Sequence, residues 1–171
     1  MASYRSLITN TPVPQEDIDF FSSISFARPY LSKQRPEPKR GSTKNQDLSI
    51  HLPAPSGPDY IVFVQFSPAV TGFQDTVHGG VLAAMFDEAF GLCAEGYRVY
   101  ISEDRTPVYT TNLEIIYRVP VGTPSMLLVK IWVNHREGRK WLLEAQLVGE
   151  EGTIRAEGKS LYISSRTSAG L

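Results

Sequence analysis

Four runs of alternating apolar and polar residues fill most of the second half of the chain, and they follow its single long amphipathic segment. The runs are Val108–Val119, Met126–His135, Lys140–Gly149 and Thr153–Ser164. A period of two residues is typical of β-strands that bury one face. Short turns rich in glycine, proline and charged residues separate the runs, so we expect an antiparallel sheet.

The amphipathic segment predicts a helix from Gly79 to Tyr97, with Gly96 as a suitable stop signal. Its apolar residues occupy one arc of the helix: Val81, Leu82, Met85, Phe86, Ala89, Leu92 and Cys93. The aromatic and β-branched run Tyr60–Phe66 predicts one further strand before the helix, with a loop over Ser67–Val77 between them. One long helix laid across about five antiparallel strands makes an α+β fold.

Proline divides the N-terminal third of the chain into short pieces. Eight of the twelve prolines precede residue 59, and proline interrupts helices and central strands, so we do not expect the main core here. A short helix is predicted over Gln15–Tyr30 and an exposed basic linker over Lys33–Lys44. The sequence thus predicts an N-terminal extension at residues 1–58, a folded domain at 59–165 and a flexible tail at 166–171.

Charge and composition exclude several classes of function. The 171 residues carry a formal net charge of −1, which argues against a nucleic-acid-binding protein. No apolar run reaches the roughly 18 residues that a membrane span needs, so no membrane partner is expected. The lone Cys93 and the lack of a recognisable secretory leader favour a cytoplasmic location. The three histidines lack metal-ligand spacing, so no metal site is expected.

The sequence Val77-His78-Gly79-Gly80 stands at the start of the predicted helix. Glycines there let a substrate approach the unpaired N–H groups and the positive end of the helix dipole, which stabilise developing negative charge. A plain tight bend with a buried His78 is the alternative. Asp87 lies outside the apolar arc, and its neighbours at helical spacing are small: Gly80, Ala83, Ala84 and Gly91. This clearing suits a ligand or a second subunit.

The spacing of these groups predicts an assembly. Gly80 and Asp87 are seven residues apart, about 10.5 Å along a helix axis. A carbonyl that is held by the helix terminus and attacked by a base-activated water needs both groups at contacts of about 3 Å. One chain can hardly supply both, so we expect a symmetric dimer in which Gly80 of one subunit faces Asp87 of the other.

Several motifs in the same order resemble the hotdog-fold thioesterases, and within them the PaaI-like branch. They extend from about Tyr60 to Ile163 and comprise Val77-His78-Gly79-Gly80, Asp87, Thr110-Thr111-Asn112-Leu113, Tyr117-Arg118-Val119-Pro120, Glu137-Gly138-Arg139-Lys140 and Ala156-Glu157-Gly158-Lys159-Ser160-Leu161. The resemblance implies a sheet wrapped around a central helix, a homodimer that often pairs into a homotetramer, and hydrolysis of thioesters carried by coenzyme A or an acyl-carrier protein. It implies no cofactor beyond the coenzyme A of the substrate, and a role in fatty acid or polyketide metabolism.

The resemblance also assigns roles to individual residues. The catalytic carboxylate falls on Asp87, the oxyanion amide on Gly79 or Gly80, the site-shaping histidine on His78, and a site hydroxyl on Thr110. Asp87 would act as a general base on water or as the nucleophile of a mixed anhydride, and both roles stay open.

The alternation of its strand places Thr110 on the face opposite Tyr109 and Leu113, together with Asn112, Glu114 and Arg118. Thr110 would orient the water or the carboxylate there, and the alternative is an ordinary threonine on an exposed strand. Asn112 is expected to bind substrate beside it.

Arg136, Arg139 and Lys140 cluster around a predicted hairpin turn and suit the phosphates of coenzyme A, although polar hairpin tips are also common without a ligand. The segment Lys33–Lys44 holds five basic residues and one acidic residue. It is either a solvated linker or a contact for coenzyme A phosphates or an acidic carrier protein.

Two other functions stay open at this point. A hydratase or dehydratase of acyl thioesters would use His78 and Asp87 as its histidine and acid across the dimer, although the Pro-Gly-rich helix start typical of the dehydratases is not seen. A protein that binds acyl-CoA without turnover is the other, because fold alone does not determine function.

Overall fold

The computed structural model describes residues 57–101 and 106–166, together with Gln15, Asp19 and Ser23. The chain divides into two compact units, Met1–Asn45 and Gln46–Leu171. In the first, the three described residues are helical, and the Gln15 amide donates a 2.8 Å hydrogen bond to the Asp19 carboxylate. The rest of the helix predicted over 15–30, the linker over 33–44 and the tail from 167 lie outside the described residues. The predicted domain boundaries therefore stay predictions.

The described part of the second unit contains one α-helix, a short 3-10 helix at Pro68–Val70 and a five-stranded antiparallel sheet. Its elements are β1 (Tyr60–Phe66), β2 (Thr71–Phe73), β3 (Thr76–Val77), α1 (Gly79–Ile101), β4 (Val108–Tyr117), β5 (Ser125–Glu137), β6 (Lys140–Val148) and β7 (Ile154–Ser164). The strand order is β1-β5-β6-β7-β4, while β2 and β3 pair with each other inside the segment predicted as a loop. The predicted α+β class and the five strands are confirmed.

Helix α1 packs its apolar side on one face of the sheet. Its fully or nearly fully buried apolar side chains include Leu82, Phe86, Ala89, Phe90, Cys93 and Ala94. The strands oppose them with alternate residues that belong to the same core: Val129, Ile131, Trp141, Leu143, Leu147 and Ala156. The predicted apolar arc leaves out Phe90, which is buried, and includes Leu92, which is only half-buried. The buried side of the helix is therefore centred at a slightly different angle from the predicted one. Each buried phenylalanine contributes roughly 1.5–3 kcal/mol.

Two glycines control how α1 meets the sheet. A Cβ atom on Gly158 of β7 would lie 2.9 Å from Phe86 Cδ1, so the glycine lets the helix approach the strand closely. Gly96 does not end the helix, which continues to Ile101, so the predicted stop is wrong. Helical glycines are tolerated where packing outweighs propensity, and Gly96 lies against the Tyr60 ring of β1.

A β-bulge in β4 decides which side chains face the helix. Thr110 is opposite Tyr162 and Asn112 is opposite Leu161, so Thr111 is an extra residue, and its hydroxyl donates to the Leu161 carbonyl oxygen at 2.8 Å. An extra residue reverses the alternation along the strand. Thr110 therefore lies on the same side as Leu113, and the prediction that placed them on opposite faces is wrong.

Replacing Gly158 with alanine is expected to lower the free energy of unfolding by about 1–3 kcal/mol, because the new methyl group overpacks the contact with Phe86. Gly96→Ala is the matched control. Its methyl group would lie 3.8 Å from the Tyr60 ring, an ordinary contact, so the better helix propensity should raise the free energy by about 0.5–1 kcal/mol. Urea denaturation measures both, and equal effects of the two substitutions would contradict this packing.

Candidate active site

The carboxylate of Asp87 is held through one of its two oxygens. Asp87 lies half-buried on α1, on the side that faces β4 and β7. The Thr110 hydroxyl donates to Oδ1 of Asp87 at 2.8 Å, and the Tyr162 hydroxyl donates to the same atom at 2.8 Å. Oδ2 accepts no hydrogen bond from the residues that the structure describes. The free oxygen is therefore available to a ligand, a water molecule or another subunit.

Tyr162 belongs to the candidate site through its contact with Asp87, although no pattern in the sequence singles it out. Its side chain is only 2% exposed, and its hydroxyl also lies 2.7 Å from the main-chain oxygen of Asp87. Burial is the main cause that raises the pKa of Tyr162 well above its usual range; the hydrogen bond with Thr110 opposes this, and the hydrogen bond and charge of Asp87 add to it. Tyr162 is thus a neutral hydrogen-bond donor at any physiological pH. The signal that would have identified it is its register opposite Thr110.

At the start of α1, His78 caps the helix with its side chain. The N–H of Gly80 donates to Nδ1 of His78 at 2.9 Å, and the His78 carbonyl oxygen accepts from the N–H groups of Val81 and Leu82. The imidazole is exposed, which differs from the buried alternative. Among the described residues, the N–H of Gly79 has no acceptor, whereas that of Gly80 is engaged. Of the two predicted oxyanion amides, Gly79 therefore provides the open donor in this structure.

Tyr117 holds the other side of the same turn. Its hydroxyl donates to the Gly79 carbonyl oxygen at 2.9 Å, so the peptide between Gly79 and Gly80 is fixed by Tyr117 at one end and by His78 at the other. A cleft of about 500 Å³ adjoins this turn. Its lining is mostly apolar and includes Phe73, Val77, Leu82, Val119 and Val121 beside His78 and Gly79. The open N–H therefore lies next to space for an apolar group.

The two halves of the site are far apart within one chain. Eight residues separate Gly79 from Asp87, about 12 Å along the helix axis. The described chain thus brings Asp87 together with Thr110 and Tyr162, and His78 together with both glycines, but it does not bring the carboxylate to the open N–H.

The predicted substrate-binding residues are dispersed. Asn112 follows the bulge and alternates with Glu114 on the sheet face that points away from α1, so it does not join Thr110. The guanidinium of Arg136 lies 4.5 Å from the centre of the Trp141 ring, and Arg139 donates to the Ser164 carbonyl oxygen at 2.8 Å. Lys140 is exposed at the hairpin.

Strand register places this basic hairpin at the same end of the sheet as Asp87. Arg136 pairs with Trp141, Trp141 with Tyr162, and Tyr162 with Thr110. These are three steps between neighbouring strands, about 14 Å across the sheet. The cations are therefore outside contact distance of Thr110 but near enough to meet another part of an extended ligand.

Comparison with known proteins agrees with the fold. Residues 74–156 match the thioesterase superfamily. The chain is 30% identical over 104 residues to the acyl-coenzyme A thioesterase THEM4 of Bos taurus, which covers 60% of this chain and 40% of that protein. The chain therefore spans about two fifths of the length of this curated relative.

Solved structures support the hotdog fold. The PaaI protein of E. coli superimposes with a TM-score of 0.55 at 14% identity, over 62% of this chain and 72% of that one. A Bacillus halodurans protein solved with CoA superimposes with a TM-score of 0.53 at 23% identity, over 60% and 65% of the two chains. At these identities the similarity establishes the fold, and the predicted hotdog architecture is confirmed.

Within residues 57–101 and 106–166, no group of three or more His, Cys, Asp or Glu side chains is placed to hold a metal ion. In the described part of the chain, no helix combines the length and the apolar character that crossing a bilayer requires.

Buried Tyr162 predicts a loss of stability at alkaline pH. Its folded-state pKa lies above the ordinary value of 10.0, so above about pH 10 the unfolded chain loses this proton while the folded chain keeps it. The free energy of unfolding should then fall by up to about 1.4 kcal/mol per pH unit from this group. For Tyr162→Phe, the free energy of unfolding measured by urea denaturation should fall less steeply between pH 8 and 11. Tyr109→Phe, which removes an exposed hydroxyl, should keep the wild-type slope; identical slopes for all three proteins would refute the assignment.

Proposed function

We propose that the protein hydrolyses acyl-CoA thioesters at a site that two subunits build together. The observation that carries this proposal is the carboxylate of Asp87, which is held by Thr110 and Tyr162 through Oδ1 and keeps Oδ2 open. An open N–H at the start of α1 supplies the second element that ester hydrolysis needs. The thioesterase-superfamily match and the acyl-CoA thioesterases among the relatives support the same class of reaction.

In this mechanism the thioester carbonyl oxygen accepts a hydrogen bond from the N–H of Gly79. Oδ2 of Asp87 takes a proton from a water molecule as the water oxygen bonds to the carbonyl carbon. The negative charge on the tetrahedral oxygen is stabilised by the N–H and the helix dipole. The C–S bond then breaks, the thiolate receives the proton from Asp87, and the carboxylic acid and free thiol leave. Direct attack by Oδ2 to form a mixed anhydride is the alternative, and ¹⁸O from water would enter Asp87 only on that route.

A homodimer would bring Gly79 of one subunit to Asp87 of the other. The separation of about 12 Å within a chain calls for such sharing. Strand β4 lies at the edge of the sheet, where backbone groups are open to another strand. On this strand Tyr109 is 58% exposed and Tyr117 is 52% exposed, which is a large apolar area for an edge strand. We infer that this edge takes part in the dimer contact, and that pairing of dimers into a tetramer is a further step.

The substrate would extend from the cleft beside Gly79 towards the basic hairpin. The apolar lining of the cleft suits an apolar part of the thioester. The hairpin cations suit the coenzyme A phosphates, and Arg139 and Lys140 are both exposed at the turn. Water is the only other reactant, so we propose no cofactor beyond the coenzyme A of the substrate. Use of an acyl-carrier protein, the cytoplasmic location and the role in fatty acid or polyketide metabolism stay predictions.

A panel of acyl-CoA thioesters of different chain length and aromaticity, with detection of the released thiol, tests the reaction. Wild-type protein should release thiol from at least one member of the panel. Asp87→Asn should release it at least about 100-fold more slowly, because the proton acceptor is gone. Glu88→Gln, which changes the exposed neighbouring acid, is the matched control and should stay within about twofold of wild type.

Other outcomes of the panel would point elsewhere. A change in enoyl absorbance without thiol release would favour a hydratase, and tight acyl-CoA binding with neither signal would favour a binding protein. If Asp87→Asn releases thiol at the wild-type rate, Asp87 has no part in the mechanism.

Mixed dimers test the shared site. Gly79→Pro removes the open N–H at the first helical residue, where proline is well tolerated, and Gly79→Ala keeps the N–H with a Cβ atom 3.6 Å from the Tyr117 ring. Gly79→Pro and Asp87→Asn should each be inactive. Mixed in equal amounts with full exchange, they should recover about one quarter of wild-type activity, because half of the dimers then hold one intact site. Gly79→Ala should remain active alone, and no recovery in verified heterodimers would place both groups of each site in one chain.

A further inference from the structure

The Tyr162 hydroxyl has two possible hydrogen-bond acceptors on Asp87. It lies 2.8 Å from Oδ1 and 2.7 Å from the main-chain oxygen of the same aspartate. A phenol has one proton, so it donates to one of these two acceptors at a time or shares the proton between them. Thr110 approaches the same Oδ1 from the neighbouring strand. Two hydroxyl groups therefore converge on one carboxylate oxygen.

The surroundings of Tyr162 hold its ring in place. Its strand neighbours in register are Thr110 on β4 and Trp141 on β6. Trp141 is fully buried, and its indole N–H donates to the Ser164 hydroxyl at 3.1 Å. On the helix, the Tyr162 hydroxyl lies over Gly91, 3.7 Å from where a Cβ atom would be. A buried ring between packed neighbours has few rotamers available, so the position of its hydroxyl is fixed by the sheet.

We propose that Tyr162 is a positioning residue for the thioester hydrolysis: together with Thr110 it holds Oδ1 of Asp87, so that Oδ2 is the oxygen that reacts. This inference rests on the proposed function and adds to it the orientation of the carboxylate. Two donors on one oxygen restrict the rotation of the carboxylate about its Cβ–Cγ bond more tightly than either donor does alone. The orientation serves the general-base route and the anhydride route equally, because Oδ2 takes the proton in one and bonds to the acyl carbon in the other.

The second acceptor, the main-chain oxygen of Asp87, gives the Tyr162 hydroxyl an alternative hydrogen bond during the reaction. When Oδ2 takes the proton from water, the carboxylate loses its charge and Oδ1 becomes a weaker acceptor. The Tyr162 proton then turns to the main-chain oxygen of Asp87, 2.7 Å away. The buried hydroxyl keeps a hydrogen bond in both states, so the proton transfer leaves no buried donor unpaired. When the thiolate takes the proton, the hydroxyl returns to Oδ1.

Tyr162→Phe removes only the hydroxyl and keeps the ring, and steady-state kinetics on the best acyl-CoA of the panel tests its role. We expect kcat to fall about tenfold with KM nearly unchanged, because one charge-assisted hydrogen bond that orients the reacting oxygen is lost. Tyr60→Phe, which removes a tyrosine hydroxyl on the far edge strand β1, should leave both unchanged.

The double variant Tyr162→Phe with Thr110→Val distinguishes a positioning role of the two hydroxyl groups from a role in packing alone. If the two hydroxyls act on the same oxygen, the double variant should lose more than the product of the two single losses, because either donor alone preserves part of the orientation. If Tyr162→Phe fails to fold, 3-fluorotyrosine in place of Tyr162 keeps both the ring and the donating hydroxyl, so kcat should stay within about twofold of wild type with KM unchanged.

The outcomes distinguish this inference from the proposed function. Wild-type kcat in Tyr162→Phe, with Asp87→Asn inactive, overturns the inference and leaves the hydrolase intact. A rise in KM alone also overturns it, because lost binding is not lost orientation. A loss of kcat of about tenfold with 3-fluorotyrosine, which keeps the donor, does the same. If the wild-type protein hydrolyses no thioester, the proposed function and this inference both fall.

Discussion

The packing of α1 against the sheet is the constraint on which the rest of the structure depends. Phe86 and Phe90 are fully buried on the sheet side of the helix, and the missing side chain of Gly158 lets Phe86 sit directly on β7. This contact fixes the rotation of the helix about its own axis. Asp87, the next residue after Phe86, is turned by about 100° from it and therefore reaches the hydroxyl groups of β4 and β7 at the side of the helix instead of the core.

The same rigid helix also separates the two chemical groups. The start of α1 is tied down by the His78 cap and by Tyr117, and Asp87 is tied down two turns later by Thr110 and Tyr162. A helix does not shorten, so the distance of about 12 Å between Gly79 and Asp87 is a fixed property of the fold. Sharing between subunits is therefore the simplest way in which this fold could apply both groups to one carbonyl.

The elements and Asp87 could be predicted from the sequence because both depend on local periodicity. The remainder of the site depends on interactions that periodicity does not encode. The bulge at Thr111 reverses the strand alternation and brings Thr110 to the helix side, where a strict period of two had placed it on the other face. Tyr162 joins the site through a pairing between strands that are distant in sequence, and the choice of Gly79 over Gly80 follows from the His78 side chain, which occupies the Gly80 N–H.

The donors around Asp87 are neutral, and this matters for chemistry. Elsewhere on the sheet, carboxylates pair with cations, as in Arg118 with Glu157 and Lys159 with Glu144. Among the described residues Asp87 has no such partner. A cation beside a carboxylate stabilises its charge strongly and makes it a weaker base, whereas a hydroxyl stabilises it less and still directs it. A site that must both orient a carboxylate and keep it able to accept a proton is therefore better built from threonine and tyrosine than from lysine and arginine.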